Sequence, residues 1–343
     1  MVLDHRLRDR PGGRGVRFLV HLPRSVRSGR AAPPAGSAGP SGSLIGVRAR
    51  SIGALVLAAA AAGGFGTQAS AAPAYSEYVA LGDSWSADVS VLNATTRFTP
   101  IACAQSNANY PKQVAAALGV AVFRDATCGG ATTADMTSPQ QISQVGGLLA
   151  GVNPAQFDRL TPTTDLVTVG IGGNDVGLAD AIMGCTSNVD VGTPCKDRFF
   201  KGGVDTISVK TRETEAKIVD VIAGIRARSP KAKIELVGYL DGVPTQRGCF
   251  ATIPITDGDI TWIGQKLVEL DGVMRSAAAT AGANYVDTYS TSIGHDACQA
   301  PGVRWVEGLV PFSSDPPGPA VPFHPNQLGA DHQARAVLTA LGR

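Results

Sequence analysis

From residue 72 onward the sequence lacks any excess of positive charge. The whole chain holds 30 Lys and Arg against 28 Asp and Glu. Ten arginines lie in residues 1–50, facing only Asp4 and Asp9, and residues 51–71 carry no charge at all. The remainder holds 20 basic and 26 acidic residues, six net negative, which leaves no electrostatic case for nucleic acid as a partner. The apolar run Ile52–Ala62, with 11 residues, is too short to span a bilayer. No Cys-x-x-Cys and no pair of histidines at ligand spacing is present, which argues against a zinc site. The Gly-x-Ser-x-Gly elbow is also missing, because Ser86 stands where its second glycine would be. No internal repeat stands out.

The front of the chain differs from the rest. Residues 1–50 are rich in Arg, Gly, Pro and Ser, have little to bury and are expected to form no fold of their own. Arg48 and Arg50, the apolar run and then Ala69-Ser70-Ala71 make a secretory signal, with cleavage expected after Ala71. The leader before it is long for such a signal, and a translation start near Val47 would account for that. The expected organisation is a basic leader and signal peptide over 1–71 and a single domain over 72–343, secreted and monomeric. All six cysteines, Cys103, Cys128, Cys185, Cys195, Cys249 and Cys298, lie in that domain. An even number in an exported chain predicts three disulfides, but the count does not choose their pairing.

Buried-strand patterns recur at Tyr78–Leu81, Val120–Phe123, Leu166–Ile171, Ile234–Leu240 and Tyr285–Val286. Helical patterns stand between or after them, at Asn109–Leu118, Val204–Arg228, Asp259–Ala281 and Gln327–Leu341. Strands alternating with helices predict an α/β fold, a doubly wound three-layer α/β/α with a central parallel sheet. The segments Met183–Gly203, Leu240–Asp257 and His295–Phe323 are long for loops and carry four of the cysteines. Long ordered loops usually wall or cover a site.

Chemistry collects at strand ends in such a sheet. Gly82-Asp83-Ser84 follows the first strand pattern. Alone it is an ordinary turn, since Asp and Ser bond their own backbone. Cys128-Gly129-Gly130-Ala131-Thr132 follows the second, where Gly130 either makes a turn or lets an N–H approach a developing oxyanion. Gly172-Gly173-Asn174-Asp175 follows the third, and the Asn174 amide is either a turn former or a donor to the same oxyanion. His324, between Pro322 and Pro325, precedes the last helix. A lone loop histidine is usually just solvated, but flanking prolines fix the backbone around this one. His332, inside the last helix pattern, and His295, in a cysteine-bearing loop, are weaker candidates.

In order and spacing, Gly-Asp-Ser, Gly-Gly-Ala-Thr, Gly-Gly-Asn-Asp and His-Pro-Asn together resemble the four blocks of the GDSL, or SGNH, hydrolase superfamily, and the secreted actinobacterial lipase/esterase branch in particular. The resemblance covers residues 75–343. It implies a flavodoxin-like SGNH fold and a secreted carboxylic ester hydrolase needing no cofactor and no metal. It further implies Ser84 as nucleophile, His324 as base, and an oxyanion hole from the Ser84 and Gly130 N–H groups and the Asn174 side chain. Neighbouring cysteines would pair, as Cys103–Cys128, Cys185–Cys195 and Cys249–Cys298.

The chain departs from the family at the residue three before the histidine, where Val321 replaces the usual Asp. The Val321 carbonyl is therefore expected to orient the imidazole, with Asp315 as the alternative, a true triad acid. The expected substrates are small-molecule or lipid esters (acyl glycerols, phospholipids or short esters), with transient contact to a lipid surface. Two other readings stay open at this point: an esterase for acetylated polysaccharide, and a non-catalytic binding module on the same fold.

Overall fold

In a computed structural model, the described residues are 74–87, 90–144, 149–310, 312–314 and 317–343. The leader and signal expected over 1–71, and Asp315, lie outside them. Five parallel strands make the central sheet: β1 (Glu77–Gly82), β2 (Val122–Asp125), β3 (Leu166–Gly170), β4 (Lys233–Val237) and β5 (Asn284–Val286). Their order is β2-β1-β3-β4-β5. This is the flavodoxin-like arrangement, whose strand order reverses between β1 and β3 and opens a crevice at their C-terminal ends.

Burial on both faces explains why these strands read as continuous apolar runs. Along β1, Tyr78 and Ala80 turn to one face and pack with Tyr110, Val114, Ala334 and Val337. These come from α1 (Tyr110–Leu118) and α4 (Gln327–Ala340). Val79 and Leu81 turn to the other face, against Ile218, Ile222, Leu270 and Met274 of α2 (Thr206–Arg228) and α3 (Asp257–Ala281). The outcome is the expected three-layer α/β/α.

Local chemistry sets the ends of these elements. The Asn109 side chain caps α1 and the Asn326 side chain caps α4, each through a backbone N–H three residues on. The helix predicted from Val204 begins at Thr206, because Asp205 is its cap and Val204–Asp205 pairs with Phe200–Lys201. Strand β2 runs two residues later than predicted. Asp125 hides in the interior by pairing with Lys112 (2.7 Å) and Thr127 (2.6 Å).

The three long loops and the first turns of α3 build a second, smaller core around Ile253, Ile255, Trp262, Val306 and Phe323. Three disulfides are present, Cys103–Cys128, Cys185–Cys195 and Cys249–Cys298, which is the neighbour pairing that the resemblance implies.

Candidate active site

Strand β1 ends at Gly82, where no side chain fits: a Cβ there would lie 2.7 Å from the Gly170 carbonyl oxygen and from Ser86 Oγ. With φ at +148°, Gly82 also occupies a conformation that other residues rarely adopt. The chain turns here into one helical turn, Ser84–Ala87. The Asp83 N–H donates to Gly170 O (3.0 Å), and the Asp83 carboxylate accepts from the Trp85 N–H (3.0 Å). Asn109 adds a bond from its side chain to Ser86 O (3.0 Å), so the cap of α1 also steadies this turn.

Ser84 Oγ stands 2.7 Å from His324 Nε2. The other ring nitrogen, Nδ1, donates to the Pro322 carbonyl at 2.7 Å, which fixes the tautomer and leaves Nε2 as the acceptor for the serine proton. The expected orienting group was the carbonyl of Val321, and this is corrected. Val321 O accepts instead from the backbone N–H of His324 itself (3.3 Å), closing a turn that brings the next carbonyl round to the ring. That turn needs Phe323 at φ +55°, the left-handed region, which is strained for a bulky residue. Burial of the Phe323 ring in the second core holds it there.

A splint braces this turn. Phe323 N–H donates to Glu307 O (3.0 Å), Glu307 N–H to His324 O (2.9 Å) and Asn326 N–H to Trp305 O (2.9 Å). The Asn326 amide also donates to Glu307 Oε1 and Arg304 O, both at 2.9 Å, and Arg304 pairs with the buried Glu307 carboxylate at 2.5 Å. Sequence reasoning missed Pro322, Arg304 and Glu307. An acidic residue three positions after an arginine beside a cysteine-bearing loop is the faint signal they leave.

Asn174 lies on the one-turn helix Gly173–Val176 after β3, and its Nδ2 donates to Ala131 O (2.8 Å). One of its two amide hydrogens is thereby used and the other is left over. Ser84, Asn174 and His324 line a single cavity of about 110 Å³ that opens to solvent. Gly130 does not line it. It sits on the adjoining turn, with φ at +76°, between Cys128, whose N–H donates to Gly82 O (3.1 Å), and Ala131. Among the described residues the N–H groups of Ser84 and Gly130 have no hydrogen-bond partner.

The cavity wall is mostly apolar and includes Leu178, Ile182, Val243, Ile263 and Leu267. Burial lowers the His324 pKa to about 4, so the imidazole is neutral and able to accept a proton at neutral pH. Burial likewise raises Asp83 to about 7. The other two histidines of the domain stay outside the cavity, stacked on the two sides of Trp305 at 3.8 Å (His295) and 4.5 Å (His332). Among the described residues no group of three or more His, Cys, Asp or Glu side chains is placed to hold a metal ion.

A serine and a neutral histidine in hydrogen-bond contact, at the switch point of a doubly wound sheet, form a candidate site of the serine-hydrolase kind. Residues 80–332 match the GDSL-like lipase/acylhydrolase family, and the chain belongs to it. It is similar to Lipase 2 of Streptomyces coelicolor, 39% identical over 285 residues that cover 80% of this chain and 90% of that protein. Its fold is similar to phospholipase A1 from Streptomyces albidoflavus (TM-score 0.59, 27% identity, 78% of this chain and 99% of that one). A further likeness is to an extracellular lipase from Streptomyces rimosus (TM-score 0.60, 25% identity, 77% and 99%). The protein is a carboxylic ester hydrolase of the GDSL type.

Proposed function

We propose that residues 72–343 form one secreted catalytic domain that cleaves acyl esters through an acyl-enzyme on Ser84. The observation that carries this reading is the 2.7 Å contact between Ser84 Oγ and His324 Nε2 at an apolar cavity. His324 takes the Ser84 proton as Oγ attacks the ester carbonyl. The N–H groups of Ser84 and Gly130 and the Asn174 amide receive the oxyanion. His324 then protonates the departing alkoxide, and a water activated by the same nitrogen releases the acid. The Pro322 carbonyl fixes the tautomer but, being neutral, stabilises an imidazolium less than a carboxylate would.

The wall favours an acyl chain over an acetylated sugar, because Leu178, Ile182, Ile263 and Leu267 offer dispersion contacts and few polar partners. Acyl glycerols, phospholipids and simple long-chain esters are the substrate classes that fit. Secretion belongs to the same proposal, supported by three disulfides, which persist in oxidising compartments.

Turnover of p-nitrophenyl esters from acetyl to palmitoyl tests this, with the mature protein, Ser84→Ala and His324→Ala. Activity rising beyond acetyl and lost in both variants is the expected result. A wild type that hydrolyses none of the series, or a Ser84→Ala protein that still does, overturns it.

A further inference from the structure

Tyr239, two residues past β4, takes no part in the chemistry proposed above, yet its hydroxyl stands between the two turns that do. It donates to Asp83 Oδ2 at 2.5 Å and accepts from the Gly173 N–H at 2.8 Å. Asp83 immediately precedes Ser84, and Gly173 immediately precedes Asn174. We propose that Tyr239 is a positioning residue, a latch whose single phenolic oxygen sets the spacing between the nucleophile and its side-chain oxyanion donor. The proposal rests on the roles assigned to Ser84 and Asn174.

The surroundings are built for this. The Tyr239 ring is 4% exposed and meets the edge of Trp85 at 5.3 Å. Its backbone N–H is held by Asp271 Oδ1 (2.9 Å), which also accepts from Tyr285 OH (2.9 Å). A Cβ on Gly173 would come within 3.0 Å of the Tyr239 hydroxyl, so a glycine there gives the phenol room to reach the N–H. The Asp83 carboxylate spends its other oxygen on the Trp85 N–H.

A phenol carries one proton, and this one goes to Asp83 while the oxygen accepts from Gly173. The latch is therefore tightest with Asp83 ionised, since a carboxylate accepts the phenolic proton more strongly than a neutral acid does. A protonated Asp83 is a weaker acceptor whose own O–H competes for the phenolic oxygen. Burial holds Asp83 up at about 7. The groups facing it are Tyr239, Trp85 on its own turn, Asp175 on the asparagine turn, which raises it further, and Tyr110 of α1. Asp175 is itself tied to Thr133 (2.6 Å) and Lys217 (3.4 Å). His324, at about 4, titrates well below this.

The test is Tyr239→Phe, which removes one oxygen and keeps the ring. Misplacing reacting groups by about 1 Å typically costs about 10²-fold in rate, so kcat for a p-nitrophenyl ester should fall toward that limit with KM little changed. The acid limb of kcat, expected near pH 7 in the wild type as protonation of Asp83 weakens the latch, should be lost, because the variant has no latch left for that proton to weaken. Asp83→Asn, which cannot titrate, should retain measurable turnover but lose that limb. A Tyr239→Phe protein with wild-type kcat and limb overturns the proposal, as does a fall explained entirely by fewer phosphonate-titratable sites. Should that variant not fold, a limb that survives in Asp83→Asn overturns it alone. Ser84→Ala, run alongside, separates the cases: if it is dead while Tyr239→Phe is normal, only the latch fails.

Discussion

The two halves of the candidate active site are held by different means. Ser84 and Asn174 follow the ends of adjacent parallel strands, β1 and β3, whose register pairs Gly82 with Gly170. Their turns are fixed by backbone bonds to the sheet, such as Asp83 N–H to Gly170 O. His324 sits instead in a turn outside the sheet. Its position depends on a left-handed Phe323, a buried Arg304–Glu307 pair and loops joined by Cys249–Cys298. A strand end is a rigid mount that many sequences can build. A loop mount must be assembled from side chains far apart in the chain, so more single changes should loosen it.

The largest effect that would sharpen this contrast is expected from Glu307→Ala. Breaking a buried ion pair costs about 3–5 kcal/mol, and here it takes from Arg304 its carboxylate partner among the described residues. Urea denaturation should show a loss of that order, with kcat falling as well. A stability within about 0.5 kcal/mol of wild type would mean the splint is dispensable. Asn174→Ala should do the reverse on the serine side. Removing one oxyanion donor lowers kcat by about 10²–10³-fold, whereas the lost bond to Ala131 costs only about 1 kcal/mol of stability. Equal rates for variant and wild type would remove Asn174 from the oxyanion hole.

The effect on turnover should be smaller again for the double change Cys249→Ala, Cys298→Ala. Loss of such a crosslink typically costs about 2–4 kcal/mol, and here the loss should fall on the histidine side. The check is whether Ser84 still reacts with a small phosphonate under conditions where ester turnover has dropped.

The least effect concerns pH. Burial raises both Asp83 and Asp271 to about 7, above their ordinary value of 3.8, so the folded state holds these protons more tightly than the unfolded chain. Their contribution to stability is full below about pH 4 and is lost as pH rises through 7. His324 runs the other way, since a folded pKa near 4 favours the native state above 6.5 and ceases to do so as pH falls through 4. Asp271→Asn should therefore flatten the decline in stability between pH 4 and 7, read by thermal unfolding across that range. An unchanged slope would assign the decline elsewhere.

Much of the candidate site was legible because its residues at strand ends come in short blocks. Gly82-Asp83-Ser84 and Gly172-Gly173-Asn174 each join a strand pattern to a turn within a few residues, and local sterics decide their shape. Tyr239 was harder to see. It sits within the pattern Ile234–Leu240 and reads as one more strand residue, yet β4 ends at Val237 because the Tyr239 N–H turns to Asp271. The choice of Pro322 over Val321 was out of reach for a similar reason. It follows from the sign of φ at Phe323, which the burial of one ring among residues from three separate loops imposes.

The sequence by itself determined the layered fold, through apolar runs buried on both faces, and singled out the serine, the asparagine and the histidine as candidates, through blocks whose conformation is local. Tertiary structure alone decided which carbonyl orients the imidazole, which phenol bridges the two turns, and how an arginine and a glutamate brace the base. Those contacts join residues up to 156 positions apart, as between Tyr239 and Asp83. Their geometry is set by packing between elements rather than by the backbone preferences of any one segment.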